Sequence, residues 1–250
     1  MASEKRFGYK WNIIRTTPKD QKIQFNRWIN TDDLTFFKDK NVLDAGCGIG
    51  TNSDIALVNG ASHVTCVDIF EDTLMHAKNN LSSHHNSKID VKYLNLEIDD
   101  IHPKYQIVMC LGVLHHLRNQ REVLQKLLNA VDKNGRIFIW IYGKHNHVFA
   151  ITLIDLLRKI TCRFPMFLNR VIAKIISIPS YYLILPFLRG KYYKQLSTFQ
   201  YNHFEGIVLD QLLPAVSTYY SEKMVQDLIK GTNLQYKHDS NNVGWTLTNK

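Results

Sequence analysis

Between residues 41 and 142, short apolar runs suited to strands alternate with amphipathic stretches of helical period, and this alternation constrains the fold more than any other feature. The strand-like runs are Asn41 to Ala45, His63 to Val67, Asp90 to Leu94, Gln106 to Cys110 and Arg136 to Tyr142. Between them, Phe70, Leu74, Ala77 and Leu81 line one helical face, and Val123, Leu124, Leu127, Leu128 and Val131 line another. Strand–helix alternation of this kind feeds parallel strands through right-handed crossovers, so an α/β fold with a doubly wound, mainly parallel sheet is expected.

The flanks complete the architecture. Thr17, Pro18 and Asp20 read as N-cap, first helical residue and N3 acid, followed by Phe25, Trp28 and Ile29 at helical spacing, so a lead-in helix or lid occupies 1–40. After Gly143 the strand signals stop, and residues 147–205 become apolar, aromatic and basic, which reads as a helical insertion after the fifth strand. Ser221 then caps a helix carrying Met224, Val225, Leu228 and Ile229, which Gly231 stops. Leu234 to His238 and Gly244 to Thr248 form a terminal antiparallel hairpin. The sheet domain therefore comprises 41–146 and 206–250, within the reach of a 250-residue chain to bury a single large core.

The formal charge of +9 is concentrated, because no acidic residue occurs between Asp155 and Glu205 while Arg158, Lys159, Arg163, Arg170, Lys174 and Arg189 do. An acidic partner is expected there: phospholipid, nucleic acid or a phosphorylated substrate. Cys47, Cys66, Cys110 and Cys162 form no CxxC pair, which suits reduced thiols in a cytoplasmic protein. The opening MASEKRFGYK has no apolar run of the signal-peptide kind, and no metal-ligand pattern is read.

The strongest local signal is VLDAGCGIG, residues 42–50, in which a strand ends at Asp44 and is followed by Gly46, Gly48 and Gly50 before a helix. Glycines there let the backbone turn tightly and approach a ligand. Dinucleotide enzymes use a related loop, but a carboxylate at Asp44 would repel a pyrophosphate and would hold an amino acid's ammonium group, directly or through water. The second strand ends at Asp68, where a carboxylate can accept hydrogen bonds from both hydroxyls of a ribose. Glu97 follows the third strand, with Asp99 as a competing acid, and Ile69 with Ile98 could sandwich an adenine.

VLDAGCGIG, the acid in VTCVDIF and YQIVMCLGVLHHL together resemble the class I S-adenosylmethionine-dependent methyltransferases of small-molecule type, over roughly residues 40 to 142 plus the terminal helix and hairpin. The resemblance implies a Rossmann-like fold and S-adenosylmethionine as cofactor. It places Asp44, Gly46 and Gly48 against the methionine part, Asp68 against the ribose and Glu97 with Ile98 at the adenine edge, with Gly50, Ile69 and Leu111 in the same cofactor set. FGYKWN and IWIYGKHN are similar to an uncharacterised branch in which an N-terminal Tyr and Trp close over the cofactor, which implies that role for Tyr9 and Trp11.

In-line methyl transfer needs positioning first, and a general base only where the acceptor must lose a proton. His115 and His116, after the fourth strand, and His203, near the end of the insertion, are the candidate bases. Leu111-Gly112-Val113-Leu114 lacks the Asn or Asp, paired prolines and aromatic of enzymes that methylate exocyclic amines of bases, and no Pro-Cys pair offers a thiolate. Leu168, Val171, Ile172, Ile175 and Ile176 share one helical face with Arg170 and Lys174 off it, which suits a lid over an apolar substrate or an interfacial helix on anionic lipid at the inner face of a membrane. Pro179 and Pro186 leave too short an uninterrupted apolar run for a membrane span. The expected function is methyl transfer to a small molecule, lipid-linked or sugar-type among the options. The alternatives are an RNA-modifying enzyme gripping phosphates through the insertion and a cofactor-binding regulator without turnover; nicotinamide oxidoreduction is disfavoured by Asp44.

Overall fold

A computed structural model describes residues 16–144, 148–214, 216–239, 241 and 243–249. Its centre is a seven-stranded sheet in the order β3-β2-β1-β4-β5-β7-β6. The parallel strands are β1 (Asn41–Ala45), β2 (His63–Asp68), β3 (Ile89–Tyr93), β4 (Tyr105–Leu111) and β5 (Val131–Tyr142). The terminal hairpin of β6 (Gln235–His238) and β7 (Gly244–Thr248) adds antiparallel to β5. Near-continuous apolar strands are what a sheet covered on both faces demands. One core side packs Leu43, Val108, Ile139 and Trp245, the other Val42, Val64, Ile107 and Met109.

The lead-in helix α1 (Pro18–Ile29) starts as its capping residues predict, with Thr17 Oγ1 accepting from the Asp20 N–H at 3.2 Å. The crossover helices are α2 (Thr51–Val58), α3 (Glu71–His85) and α4 (Gln120–Asn129). Helix α4 ends two residues before Val131, which belongs to β5 instead of the helical face that its spacing suggested. It pairs there with Tyr105 across a register irregularity, so strand pairing overrides the helical period.

The insertion is helical throughout its regular part: α5 (Val148–Thr161), α6 (Met166–Pro179), α7 (Lys191–Leu196) and α8 (Tyr201–Leu212), with α9 (Glu222–Ile229) returning the chain to the sheet. Two expectations need correction. The boundary at 205/206 falls inside α8, so the helix that ends the insertion cannot be divided there. Pro179 and Pro186 also fail to interrupt α6, because a π-helical segment over Ser180–Ile184 and a 3₁₀ turn over Leu185–Phe187 carry the helix on. Among the described residues, the 22 residues from Met166 to Phe187 are long and apolar enough to cross a membrane by length and composition.

Helices α5 and α6 both pack on α8. Arg158 on α5 donates from Nε to the Gln211 carbonyl at 2.9 Å, and Thr161 Oγ1 donates to the Leu212 carbonyl at 3.0 Å, so two side chains satisfy carbonyls that the end of α8 leaves open. Arg158 is buried and ion-paired to Asp155, and Arg170 faces Glu205 at 3.7 Å. These two cations therefore serve internal structure, contrary to their reading as an outward basic surface.

Candidate functional site

A cavity of about 250 Å³ opens at the carboxyl ends of β1, β2 and β4. Strand order reverses between β1 and β4, and ligands of open α/β sheets bind at such a switch point. Gly46 and Gly48 form its floor. Gly46 has φ +82°, and a Cβ there would lie 2.4 Å from Cγ2 of Val113, so a side chain is barred both by conformation and by space. Within this loop the Gly46 and Cys47 N–H groups both donate to the Val67 carbonyl, at 2.8 and 3.0 Å, and Gly48 N–H donates to Asp68 Oδ2 at 2.9 Å. Three donors that a pyrophosphate would need are thus engaged within the protein.

Asp68 stands at the cavity wall, its Oδ1 accepting from the Ile69 and Phe70 N–H groups at 2.7 and 3.2 Å. Burial raises its carboxyl above the usual range, opposed by those backbone donors. Glu97 also lines the cavity and accepts at Oε1 from Arg118 and Asn119, at 2.8 and 3.0 Å, tying the loop after β3 to the start of α4. Its rival Asp99 turns away to accept from the Asn95 N–H at 2.7 Å. Ile69, Leu94, Leu96 and Leu111 supply apolar lining.

Four expected site residues are not brought to the wall. Asp44 is wholly buried beneath the loop, bonded to Ser53 Oγ at 2.7 Å, and burial pushes its carboxyl up to about 7, so it is no fixed exposed charge. Gly50 initiates α2 with φ +84°, and its missing Cβ makes room for Leu81 instead of a ligand. Ile98 is 75% exposed and takes no part in the lining, so an adenine sandwich between Ile69 and Ile98 does not form. His115 is fully buried against Tyr142, with ring centroids 3.9 Å apart, and burial holds its imidazole well below its ordinary pKa; a base needs a reachable nitrogen, which this one lacks. Tyr9 and Trp11 lie outside the described residues.

The opposite wall comes from α1 and α8. Gln21, Gln24 and Trp28 face the cavity from α1, and His203, Gly206, Ile207 and Asp210 face it from α8. Trp28 stacks on Trp140 of β5 with centroids 5.0 Å apart. His116, half-buried at the rim, points Nδ1 at the Val216 carbonyl 3.1 Å away. Only a protonated Nδ1 can donate to a carbonyl, so Nε2 is the basic nitrogen of the neutral ring.

Residues 43–137 match the family model described as a methyltransferase domain. Over those residues the chain is similar to a methyltransferase domain. A ubiquinone biosynthesis O-methyltransferase from Glaesserella parasuis serovar 5 (strain SH0165) is 28% identical over 123 residues, covering 46% of this chain and 50% of that protein. A ribosomal protein L11 methyltransferase from Lactobacillus johnsonii (strain CNCM I-12250 / La1 / NCC 533) is 34% identical over 100 residues, covering 40% of this chain and 30% of that protein. The chain thus spans half or less of the length of these two relatives. Among solved structures, a magnesium protoporphyrin IX methyltransferase from Synechocystis PCC 6803 with bound SAH superposes with TM-score 0.56 at 15% identity, covering 92% of this chain and 84% of that one. PKMT2 from Rickettsia typhi in complex with AdoHcy gives TM-score 0.54 at 20% identity, covering 87% and 42%. These likenesses are of fold.

Within residues 43–137, the loop after β1 and the acid ending β2 were readable from sequence because strand ends and glycines mark them. Of the walls from α1 and α8, only His203 was singled out. Gln21, Gln24 and Trp28 recur at i, i+3 and i+7, and His203, Gly206, Ile207 and Asp210 at i, i+3, i+4 and i+7, so each set occupies one helical face. That periodicity was the available signal, hidden because both faces mix polar and small residues.

Proposed function

We propose that the chain is an enzyme that transfers a methyl group from S-adenosylmethionine to a small-molecule acceptor. The observation that carries the reading is the Gly46–Gly48 floor joined to the Asp68 carboxylate at one cavity, with its loop N–H groups engaged internally instead of presented to phosphate. The residues present fit this cofactor: an acid at the end of β2 for ribose hydroxyls, apolar lining from Ile69, Leu94 and Leu96, and Glu97 as a polar edge. The cofactor supplies a methyl group already activated on a sulfonium. What the protein must add is alignment and exclusion of water, which Trp28, Trp140 and the α8 wall provide by narrowing the cavity around the acceptor.

For an acceptor that must lose a proton, His116 is the base, through Nε2, with the Val216 carbonyl fixing its tautomer. His203 lines the acceptor side from α8 and orients the acceptor. Calorimetric titration with S-adenosylmethionine, S-adenosylhomocysteine and NAD tests the cofactor assignment. Saturable binding of both sulfur compounds and none of NAD is expected; binding of NAD, or of neither sulfur compound, sinks the assignment. Asp68→Ala should weaken cofactor binding by about 1–3 kcal/mol while the protein stays folded, the cost of losing hydrogen bonds to a charged acceptor.

A further inference from the structure

Helix α6 carries large apolar side chains on its outer side as well as its inner one. Its inward side packs on α8 through buried Asn169, Ala173 and Ser177 and partly buried Met166, Ile172 and Ile176, whereas Phe167, Val171, Ile175 and Ile178 point outward and are exposed. A helix on a soluble domain ordinarily keeps its outer side polar and buries its large apolar side chains. The exposed apolar surface continues into the π-helical and 3₁₀ turns through Tyr182, Leu183, Ile184 and Phe187, the last of these 81% exposed. On α5, Leu153, Leu156 and Ile160 recur at i, i+3 and i+7 and are exposed likewise.

The charges around this surface have one sign. Lys159, Arg163, Lys174, Arg189, Lys191 and Lys194 are exposed, and no acidic residue occurs between Asp155 and Glu205. Contrary to the sequence expectation, Lys174 does not lie off the apolar face but within it: seven, three and four residues separate it from Phe167, Val171 and Ile178, which places all four on one side of the helix.

We infer that the outward face of α5, α6 and the turns to Phe187 is a docking surface for an anionic phospholipid bilayer, lying in the plane of the interface. Large apolar side chains would enter the acyl boundary while the surrounding cations meet lipid phosphates. Lys174 decides between the occupants. Its stem can lie along the apolar surface with the ammonium at headgroup level when the helix is parallel to the membrane. Were α6 to span the bilayer, that ammonium would sit well inside the hydrocarbon, and in a protein–protein interface it would be buried at the centre, where lysine is depleted. The inference is independent of the methyl-transfer reading and stands or falls by itself.

The test is sedimentation of the full chain with vesicles of phosphatidylcholine alone or mixed with phosphatidylglycerol. Binding to the mixed vesicles is expected, at least tenfold tighter than to phosphatidylcholine and weakened by salt. The triple variant Phe167→Ser, Ile175→Ser, Phe187→Ser should lose at least tenfold in bound fraction with an unchanged melting temperature. The charge variant Lys191→Glu, Lys194→Glu alters exposed side chains alone, and it should lower binding to mixed vesicles without affecting binding to phosphatidylcholine. Absence of binding by the natural sequence, binding unaffected by both variants, resistance to carbonate extraction as a spanning helix would show, or a stable dimer that the triple variant dissociates would each overturn the inference.

Discussion

Two buried carboxylates organise the molecule by different means. Asp44 accepts from Ser53 alone among the described residues, and burial pushes its carboxyl up to about 7. The folded protein therefore retains this proton at pH values where the unfolded chain, with an ordinary aspartate pKa of about 3.9, has released it. Stability contributed by the protonated form is full below about pH 4 and is lost as pH rises through about 7. Asp44→Asn, which keeps the shape and cannot ionise, should gain stability relative to the natural sequence between pH 4.5 and 7.5; urea melts across that range giving a constant difference would refute this. Asp239 is instead fully engaged. Its Oδ1 accepts from Asn241 and Val243 N–H, both at 3.1 Å, its Oδ2 accepts from Trp140 Nε1 at 3.0 Å, and the Arg27 guanidinium lies 3.6 Å away. Arg27 is itself buried, so Asp239→Ala removes the turn's acceptor and strands a buried cation, for an expected loss of about 3–5 kcal/mol in equilibrium unfolding.

At the scale of elements, α1 and α8 are fastened to one another across the cavity. Asp20, an N3 acid by sequence, also reaches the Gln200 N–H at 3.0 Å, where α8 begins. Asp20→Asn should leave α1 in place but speed amide exchange over the first turn of α8; unchanged exchange there would show that packing by Phe204 alone holds the helix. The strands were legible because a buried parallel sheet selects continuous apolar runs, and β1 and β7 begin and end where their sequences indicate. The glycine loop and Asp68 were legible for a similarly local reason. Asp44 was not, because a motif gives a residue's place in the chain and not its depth, and only the packing of Ser53 and the loop above it seals the carboxylate. Ile98 and His115 exchanged exposure with the expectation for the same reason. For α6, the face expected from periodicity is divided, with Ile172 and Ile176 packed inward and Val171 and Ile175 exposed beside Lys174, because apolar residues ring most of the helix and the period alone does not say which side meets α8.

Over the whole molecule, the apolar interior is divided. Clusters around Leu43 and Val42 cover the two sides of the sheet, while Ala173 with Leu209, Leu212 and Leu213, and Leu185 with Leu196, Phe199 and Phe204, form separate cores in the insertion. Small, separate cores open at lower free energy than a central sheet. Hydrogen exchange by mass spectrometry should therefore show α5 to α7 exchanging as a unit well before β1 and β4; uniform protection would mean one cooperative body. The division has a bearing on inheritance. One side of the cavity is written in the strand ends and their loops, the other largely in α8, more than a hundred residues from Gly48 and attached to the insertion's own cores. Such a molecule can be recombined in halves: under the proposed function, a transplanted 148–213 segment would bring a new acceptor wall to an unaltered donor side, letting lineages diversify what they modify without reinventing how the methyl group is supplied.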